Sequence, residues 1–255
     1  MKKTILLLWC LFGTLLYNNA QDINTDRPDV TESYYTVPRN SLQIETGYMF
    51  EKSTDFKEIN HTYNTTLLRY GLVDNLELRF NIAYMHSKGI EGNPMSNYGW
   101  GDMQVGLKFY VLDQDKFLPY LSLLFHYVIP TGDNHFSPDA SEPIVKILGG
   151  WEFDNGSSIS FNAGAIWTAG NDNVEYSASV AYGQPIIKET LSAFIEYFDY
   201  TSHNSDKMHH YMDLGVTYLL KENLQLDLSV GTNLKGFRKG YFISAGASYL
   251  ISFSK

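Results

Sequence analysis

The sequence predicts an all-β protein: a transmembrane antiparallel β-barrel of about 12 strands, with short periplasmic turns and longer extracellular loops. The first observation is a hydrophobic period of 2. In residues 224–230 every even position is apolar and every odd position is polar, and residues 76–84 repeat this pattern except at Ala83. A period of 2 places successive side chains on opposite faces of a strand and excludes a helix.

The second observation is the length of the alternating runs. They extend over about 10–14 residues, whereas strands of soluble domains have about 5–6 and a tilted strand needs about 9–11 to cross a bilayer. A large soluble β-sandwich or a lipocalin-like barrel would also alternate, but run length and the final Tyr249-x-Ile251-x-Phe253 pattern favour a membrane barrel. The predicted strands are 41–53, 61–70, 75–87, 99–111, 117–129, 142–153, 157–168, 174–184, 190–201, 207–219, 224–233 and 240–253.

The third observation is that the connections alternate in length along the chain. Residues 72–74, 113–115 and 154–156 form short connections, whereas 88–98 and 130–141 form long ones. Outer-membrane barrels have short periplasmic turns and longer outer loops. If the chain enters the first strand from the periplasm, 188–189 and 221–223 are periplasmic turns. Residues 202–206 and 234–238 are then outer connections.

A sheet persists in hydrocarbon only if it is closed, because each unpaired backbone group there costs several kcal/mol. The outer face is therefore apolar and the inner face polar. The side chains predicted to face inward are Glu45, Arg69, Glu77, Arg79, Gln104, Lys108, Lys146, Asn162, Glu175, Glu196, Asp213, Gln225 and Asp227. Aromatic side chains near strand ends, where interfacial girdles lie, are Tyr48, Phe50, Tyr70, Trp100, Phe109, Trp151, Phe153, Trp167, Tyr182, Tyr197, Tyr218 and Tyr249.

The composition agrees with this class of protein. Aromatic residues make up 15% of the chain and charged residues 18%, against about 25% charged in average soluble domains. After residue 20 no stretch approaches the roughly 20 apolar residues of a membrane-spanning helix, which excludes a helical membrane protein. A hydrophobic content of 44% argues against intrinsic disorder.

The N-terminus reads as a secretory signal peptide over residues 1–20, with Lys2 and Lys3 before an apolar stretch and a cleavage point after Ala20. We expect residues 21–40 to form a periplasmic N-terminal segment and residues 41–255 a single barrel domain. The mature chain would lack Cys10, and with it disulfides and thiolate chemistry. Without the two lysines, 17 of the 19 basic residues remain against 28 acidic ones, a net charge of -11. Nucleic acid is a poor partner for such a chain.

Two groups of charged residues are candidates for a functional site. Ion pairs among residues of neighbouring strands would fill the interior and narrow a pore; the lumen and transport candidates are Arg69, Glu77, Arg79, Lys108, Glu196 and Asp227. Residues of the N-terminal segment could plug the periplasmic mouth, since an arginine can bind a carboxylate with two hydrogen bonds and proline stiffens the chain. These plug candidates are Asp26, Arg27, Pro28 and Asp29. The alternative is a tail that only packs its charges against the wall.

The histidines do not predict a metal or catalytic site. His209 and His210 are adjacent on a strand and face opposite sides, so they cannot bind one ion together; His203 lies nearby. His135 and Ser137 resemble the His-x-Ser pair of a barrel phospholipase, but they lie in a loop without a supporting motif. We therefore predict no catalytic residues, no metal and no cofactor.

Several motifs resemble a known family. Residues 25–33 read TDRPDVTES, followed by Val37-Pro38 and LQIETGY at 42–48; LRYGLVDNLELR at 68–79, GWGD at 99–102, Gly106-Leu107-Lys108 and PTG at 130–132 continue the likeness. This pattern resembles the outer-membrane β-barrel family named "MetA-pathway of phenol degradation", whose members are also described as transporters. The resemblance implies an outer-membrane barrel that passes small, often aromatic or hydrophobic, compounds. Ser254 and Lys255 depart from family-like barrels, which often end on an aromatic residue.

The sequence thus predicts a non-enzymatic outer-membrane channel or transporter for small solutes in the bacterial outer membrane. Its expected partners are outer-membrane lipid, the barrel-assembly machinery and an unidentified small solute. Two alternatives stay open: a barrel enzyme acting on lipid, and a barrel whose outer loops serve adhesion or assembly.

Overall fold

A computed structural model describes residues 23–168, 174–202, 205–235 and 239–253. These residues form thirteen strands: β1 (Ser41–Ser53), β2 (Glu58–Val73), β3 (Leu76–Gly89), β4 (Ser96–Trp100), β5 (Met103–Leu112), β6 (Tyr120–Ile129), β7 (Glu142–Glu152), β8 (Ser158–Trp167), β9 (Val174–Ile187), β10 (Leu191–Ser202), β11 (Ser205–Lys221), β12 (Leu224–Lys235) and β13 (Gly240–Ser252). Within the described residues no helix is long and apolar enough to cross a membrane. The predictions for residues 1–20, His203 and residues 254–255 lie outside the described residues.

The strands close into one antiparallel barrel. β1 pairs with β13 along its whole length, from Ser41 opposite Ser252 to Ser53 opposite Gly240. β4 and β5 both pair with β3, so they act as two halves of one barrel strand. The barrel therefore has 12 strands and no open edge, as predicted.

The interruption between β4 and β5 corrects the prediction of one continuous strand over 99–111. The carboxylate of Asp102 turns away from the ladder and accepts hydrogen bonds from the backbone amides of Thr131 (3.0 Å) and Gly132 (2.8 Å). Asp133 in turn accepts one from the Trp100 amide at 2.7 Å. A Cβ on Gly132 would lie 2.9 Å from the Trp100 carbonyl oxygen, so this close approach requires glycine. The GWGD and PTG motifs therefore join the strand break to the following loop.

Several strand ends differ from the prediction. β3 continues to Gly89 and β4 begins at Ser96, so the predicted long loop at 88–98 is shortened to residues 90–95. The connection between β5 and β6 is longer than the predicted turn at 113–115, because β6 begins only at Tyr120. Residues 130–141 form the longest connection among the described residues, at the barrel end opposite Ser41. We call the end that contains Ser41 the short-turn end and the other the long-loop end.

The two faces of the sheet have opposite chemistry. Glu45, Arg69, Glu77 and Lys108 point inward and are fully buried, whereas outward side chains such as Leu228 (51% exposed) face the surroundings. A soluble barrel buries apolar side chains inside, so this inverted arrangement is that of a membrane barrel. Among the predicted girdle residues, the exposed ones include Tyr48, Trp100, Trp167, Tyr182, Tyr197 and Tyr218.

The face assignment predicts unequal effects of the same charge on the two sides of the wall. Leu228 points outward near the middle of β12, and Gln104 points inward, half-buried, near the middle of the β4–β5 barrel strand. Leu228→Arg should destabilise the inserted barrel by about 2–4 kcal/mol, the cost of arginine near the bilayer midplane. Gln104→Arg should be tolerated. Urea unfolding in lipid vesicles measures both, and equal destabilisation would mean that the faces are assigned wrongly.

Candidate functional site: the occupied lumen

The N-terminal segment (residues 23–40) lies inside the barrel. It has no regular secondary structure, so its backbone N–H groups need partners other than a strand ladder. Lumen carboxylates supply several of them: Glu45 accepts from the Asp26 amide (3.0 Å), and Glu77 accepts from the Val37 amide (2.8 Å). The wall therefore holds the segment by its backbone as well as by its side chains.

Asp26 lies among three buried cations that project from β2, β3 and β5. Its carboxylate is 2.7 Å from Arg79 Nη1, 3.2 Å from Lys108 Nζ and 3.4 Å from Arg69 Nη1. Burial alone would raise the pKa of Asp26. The positive charges of Arg69, Lys108 and Arg79 outweigh burial and hold the pKa of this carboxyl well below its usual range. Asp26 is therefore ionised in the lumen.

Within the part of the chain that the structure describes, the same cations pair with two wall carboxylates, Glu45 and Glu77. Arg69 binds Glu77 with two hydrogen bonds of 2.9 and 3.0 Å and binds Glu45 at 2.8 Å, and Arg79 binds Glu77 at 2.8 Å. Three cations against two carboxylates leave one positive charge unbalanced. Asp26 of the segment supplies the missing negative charge, so the wall is electrostatically complete only when the segment is in place.

Arg27 binds the neighbouring part of the lumen wall, on β12 and β13. Its guanidinium donates to Asp227 at 2.9 and 3.3 Å and to Ser244 at 3.0 Å. It lies over Gly47 and Gly246, which are directly paired in β1 and β13. A Cβ on either glycine would come within 2.4 Å of a guanidinium atom. These two glycines leave the space that Arg27 occupies.

The next residues of the segment bind β7, β8 and β10. Glu196 accepts hydrogen bonds from the Val30 amide at 2.8 Å and from the Thr31 amide at 2.6 Å. Glu32 pairs with Lys146 at 2.7 Å and with Arg79 at 2.8 Å. Burial opposes ionisation of Glu32, yet Lys146 and then Arg79 lower its pKa to about 2.

Asp29 has a different environment from the other two acidic residues of the segment. Burial, followed by the neighbouring carboxylate of Glu196, raises the pKa of Asp29 well above its usual range. Asp213, which is directly paired with Glu196 across β10 and β11, adds a further carboxyl group close by. The lumen is therefore divided into a positive side, on β2, β3 and β5, and an acidic side, on β10 and β11.

Aromatic side chains fix the segment at the short-turn end. The hydroxyls of Tyr34 and Tyr35 both donate to Glu152 at 3.1 Å. The Tyr34 ring stacks on Tyr120 with a centroid distance of 4.9 Å and packs against a small apolar cluster with Leu124 and Leu148. This end of the segment is held by apolar packing, whereas residues 25–33 are held mainly by charge and hydrogen bonds.

The sequence-predicted residues come together, but deeper than expected. The wall candidates Arg69, Glu77, Arg79, Lys108, Glu196 and Asp227 all face the lumen and contact the N-terminal segment. Asp26 and Arg27 lie within the barrel among wall residues, not at its periplasmic mouth, and the peptide between Arg27 and Pro28 is cis.

The sequence did not predict that Glu32, Tyr34 and Tyr35 bind the N-terminal segment to the barrel wall. All three follow the TDRPD motif directly in the chain, and two adjacent tyrosines in a predicted periplasmic tail were the available signal.

The histidine pairs do not assemble a reactive site. His209 is buried, whereas the His210 ring stacks on Tyr197, which is exposed on the outer face, as expected for adjacent strand residues. The Ser137 hydroxyl donates to Asp102 at 3.0 Å, and the His135 ring packs against Phe136. Within the described residues, no group of three or more histidine, cysteine or acidic side chains could hold a metal ion.

These features define the class of protein: an outer-membrane-type β-barrel with a charged lumen that is occupied by its own N-terminal segment. The chain belongs to the family described as "Putative MetA-pathway of phenol degradation", whose model matches residues 25–251. The family resemblance noted in the sequence is therefore confirmed. A comparison with curated proteins found no match.

Solved structures share the fold at low identity. An outer-membrane channel from Pseudomonas putida F1 superposes with a TM-score of 0.73 at 14% identity, over 86% of this chain and 98% of that chain. The KdgM porin gives a TM-score of 0.55 at 9% identity, covering 83% and 99% of the two chains. The NanC porin gives 0.51 at 10% identity, covering 82% and 98%. These likenesses show that this chain has the fold of outer-membrane β-barrels.

The charge balance predicts that Asp26 controls how firmly the segment is held. Asp26→Asn keeps the shape of the side chain but leaves one buried cation unbalanced, and breaking such a buried pair typically costs about 3–5 kcal/mol. Amides of residues 23–40 should then exchange hydrogen for deuterium at least about tenfold faster, because local opening becomes cheaper. Hydrogen–deuterium exchange with mass spectrometry measures this.

The matched control is Asp154→Asn, which changes an exposed carboxylate in the turn between β7 and β8. It should leave exchange in residues 23–40 unchanged, and both variants should keep protected strands. Equal exchange of the segment in wild type and Asp26→Asn would show that these ion pairs do not hold it.

Proposed function

We propose that this protein is an outer-membrane channel for small solutes, and that its N-terminal segment is a plug that must be displaced before solute passes. The observation that carries the proposal is the charged, polar lumen wall paired with the segment. A wall of this polarity suits water and solutes, and a barrel of 12 strands is wider than the 8-strand type whose side chains fill the interior. The segment occupies this additional width.

The chemistry of the contacts supports a plug that can leave. Residues 25–33 are held by ion pairs and hydrogen bonds to groups such as Asp227, Arg79 and Glu196. Water can replace these partners when the segment moves, whereas an apolar contact area would resist exposure. The aromatic anchor at Tyr34 and the covalent link into β1 would keep a displaced segment attached to the barrel.

We propose small aromatic or hydrophobic compounds as the solute class. The description of the family, which names phenol degradation, supports this choice. We further propose that residues 1–20 direct export and are removed, that the assembly machinery inserts the barrel, and that outer-membrane lipid contacts its outer face. Cell fractionation tests this location: recovery as a soluble periplasmic protein would contradict it.

The enzyme alternative receives no support from the loop that suggested it. Ser137 is bound to Asp102, and the His135 ring contacts Phe136 instead of the serine. A nucleophilic serine requires a base within hydrogen-bond reach, and this pair does not provide one. The adhesive alternative likewise has no specific observation in its favour.

Deletion of residues 21–39 tests the plug directly. The truncated barrel should still fold, and solute entry into proteoliposomes should rise several-fold, because the lumen loses the chain that fills it. Arg79→Ala should raise entry less, since it removes the partner of Asp26 and Glu32 but leaves the segment present. Liposome swelling with sugars, amino acids and aromatic acids provides the readout.

The control is Arg39→Ala, which removes an exposed arginine of the same segment and should not change entry. Heat-modifiable migration on a gel confirms that each variant is folded. Folded wild type and deletion variants that both stay impermeable would contradict the channel and favour a structural or enzymatic barrel.

A further inference from the structure

The lumen contains a cavity of about 250 Å³ on the long-loop side of the N-terminal segment. Strands β7 to β10 form its wall, and Val30 of the segment contributes to its lining. Pockets for drug-sized ligands have volumes of roughly 300–1,000 Å³, so this cavity suits a smaller molecule with a single ring.

One part of the cavity lining is apolar. Val30, Ile166 and Phe198 line it, and the Phe198 ring is held in place by parallel stacking on Tyr211 with a centroid distance of 4.9 Å. Val30 is 44% exposed even though it lies inside a charged lumen. An apolar solute placed here would remove this exposed surface from water, and a fixed aromatic ring favours a second ring stacked or tilted against it.

The lining also includes a cation, Lys146. Its ammonium group already binds a carboxylate, because Glu32 of the segment lies 2.7 Å away. The structure thus shows that a carboxylate fits this position. Two acidic residues also border the cavity, but the carboxylate of Asp199 is bound by the Tyr197 hydroxyl at 3.4 Å, on the outer face of the strand. The other acidic residue at the cavity is Glu175, which already takes part in an interaction within the protein.

We propose that this cavity binds a small aromatic carboxylate, with its ring against Phe198, Ile166 and Val30 and its carboxylate on Lys146 in place of Glu32. The proposed binding site does not depend on the channel proposal. The effect of solute binding on the plug rests on that proposal. A solute that takes Lys146 from Glu32 removes one of the ion pairs that hold the plug. Solute binding and plug seating therefore oppose each other, and the opposition is reciprocal.

Calorimetric titration of the full mature protein in detergent tests the site. The probes are benzoate, benzyl alcohol, acetate and benzylamine. Benzyl alcohol has the ring without the charge, acetate has the carboxylate without the ring, and benzylamine has the ring with a positive charge. Benzoate should bind most tightly. Lys146→Met should weaken benzoate binding by about tenfold or more, the loss expected for one charge-assisted hydrogen bond, whereas Lys146→Arg should retain it. Lys188→Met, in an exposed turn at the short-turn end, should have no effect.

Two further variants test the two halves of the site. Glu32→Gln removes the competitor and should tighten benzoate binding. Phe198→Leu should weaken it, while Phe253→Leu, an exposed residue at the end of the barrel wall, should not. Each variant is first shown to be folded by heat-modifiable migration.

Absence of benzoate binding, equal affinity in wild type and Lys146→Met, or tighter binding of benzylamine would overturn the proposal. Binding is measured without transport, so the two proposals can fail separately. Benzoate binding by a protein that never conducts would support the binding site in the cavity and contradict the channel. Conduction without benzoate binding would support the channel and contradict the binding site in the cavity.

Discussion

The positive charge on one side of the lumen is the constraint on which the site depends. Arg69, Arg79 and Lys108 are buried together, and among the described residues their wall partners are two carboxylates, Glu45 and Glu77. A buried charge without a counter-charge is costly, and Asp26 removes that cost by entering the barrel. The path of the segment follows from this contact, because Asp26 binds the cations of β2, β3 and β5 while Arg27 binds Asp227 of β12.

The segment joins two kinds of attachment, and the difference between them suits a movable plug. Its Tyr34 end is anchored by stacking and apolar packing, while the part that crosses the lumen is held by groups that water can replace. Glu32 connects this part to the cavity through Lys146. Plug, wall and cavity therefore share one set of ion pairs, and a change in any of them alters the others.

Much of the fold could be predicted from the sequence because a membrane barrel repeats one rule along every strand. Alternation predicted the inward positions of Glu77 and Lys108, and the number of alternating runs predicted a closed barrel of 12 strands. The break at Gly101 and Asp102 was missed, because it depends on a carboxylate that binds a distant loop. The depth of the segment was also missed. Periodicity shows which wall residues face inward, but not which other part of the chain neutralises them.

A reversible covalent lock tests most directly whether the segment must move. Thr31 Oγ1 donates a hydrogen bond of 2.7 Å to Ser179 Oγ, so side chains at these two positions are in direct contact. The double variant Thr31→Cys/Ser179→Cys, with Cys10 absent, can be oxidised and reduced during a bilayer recording, and each single variant is the control. We expect the oxidised protein to stay closed and reduction to restore conductance. Equal conductance in the two states would contradict a plug that must leave the lumen.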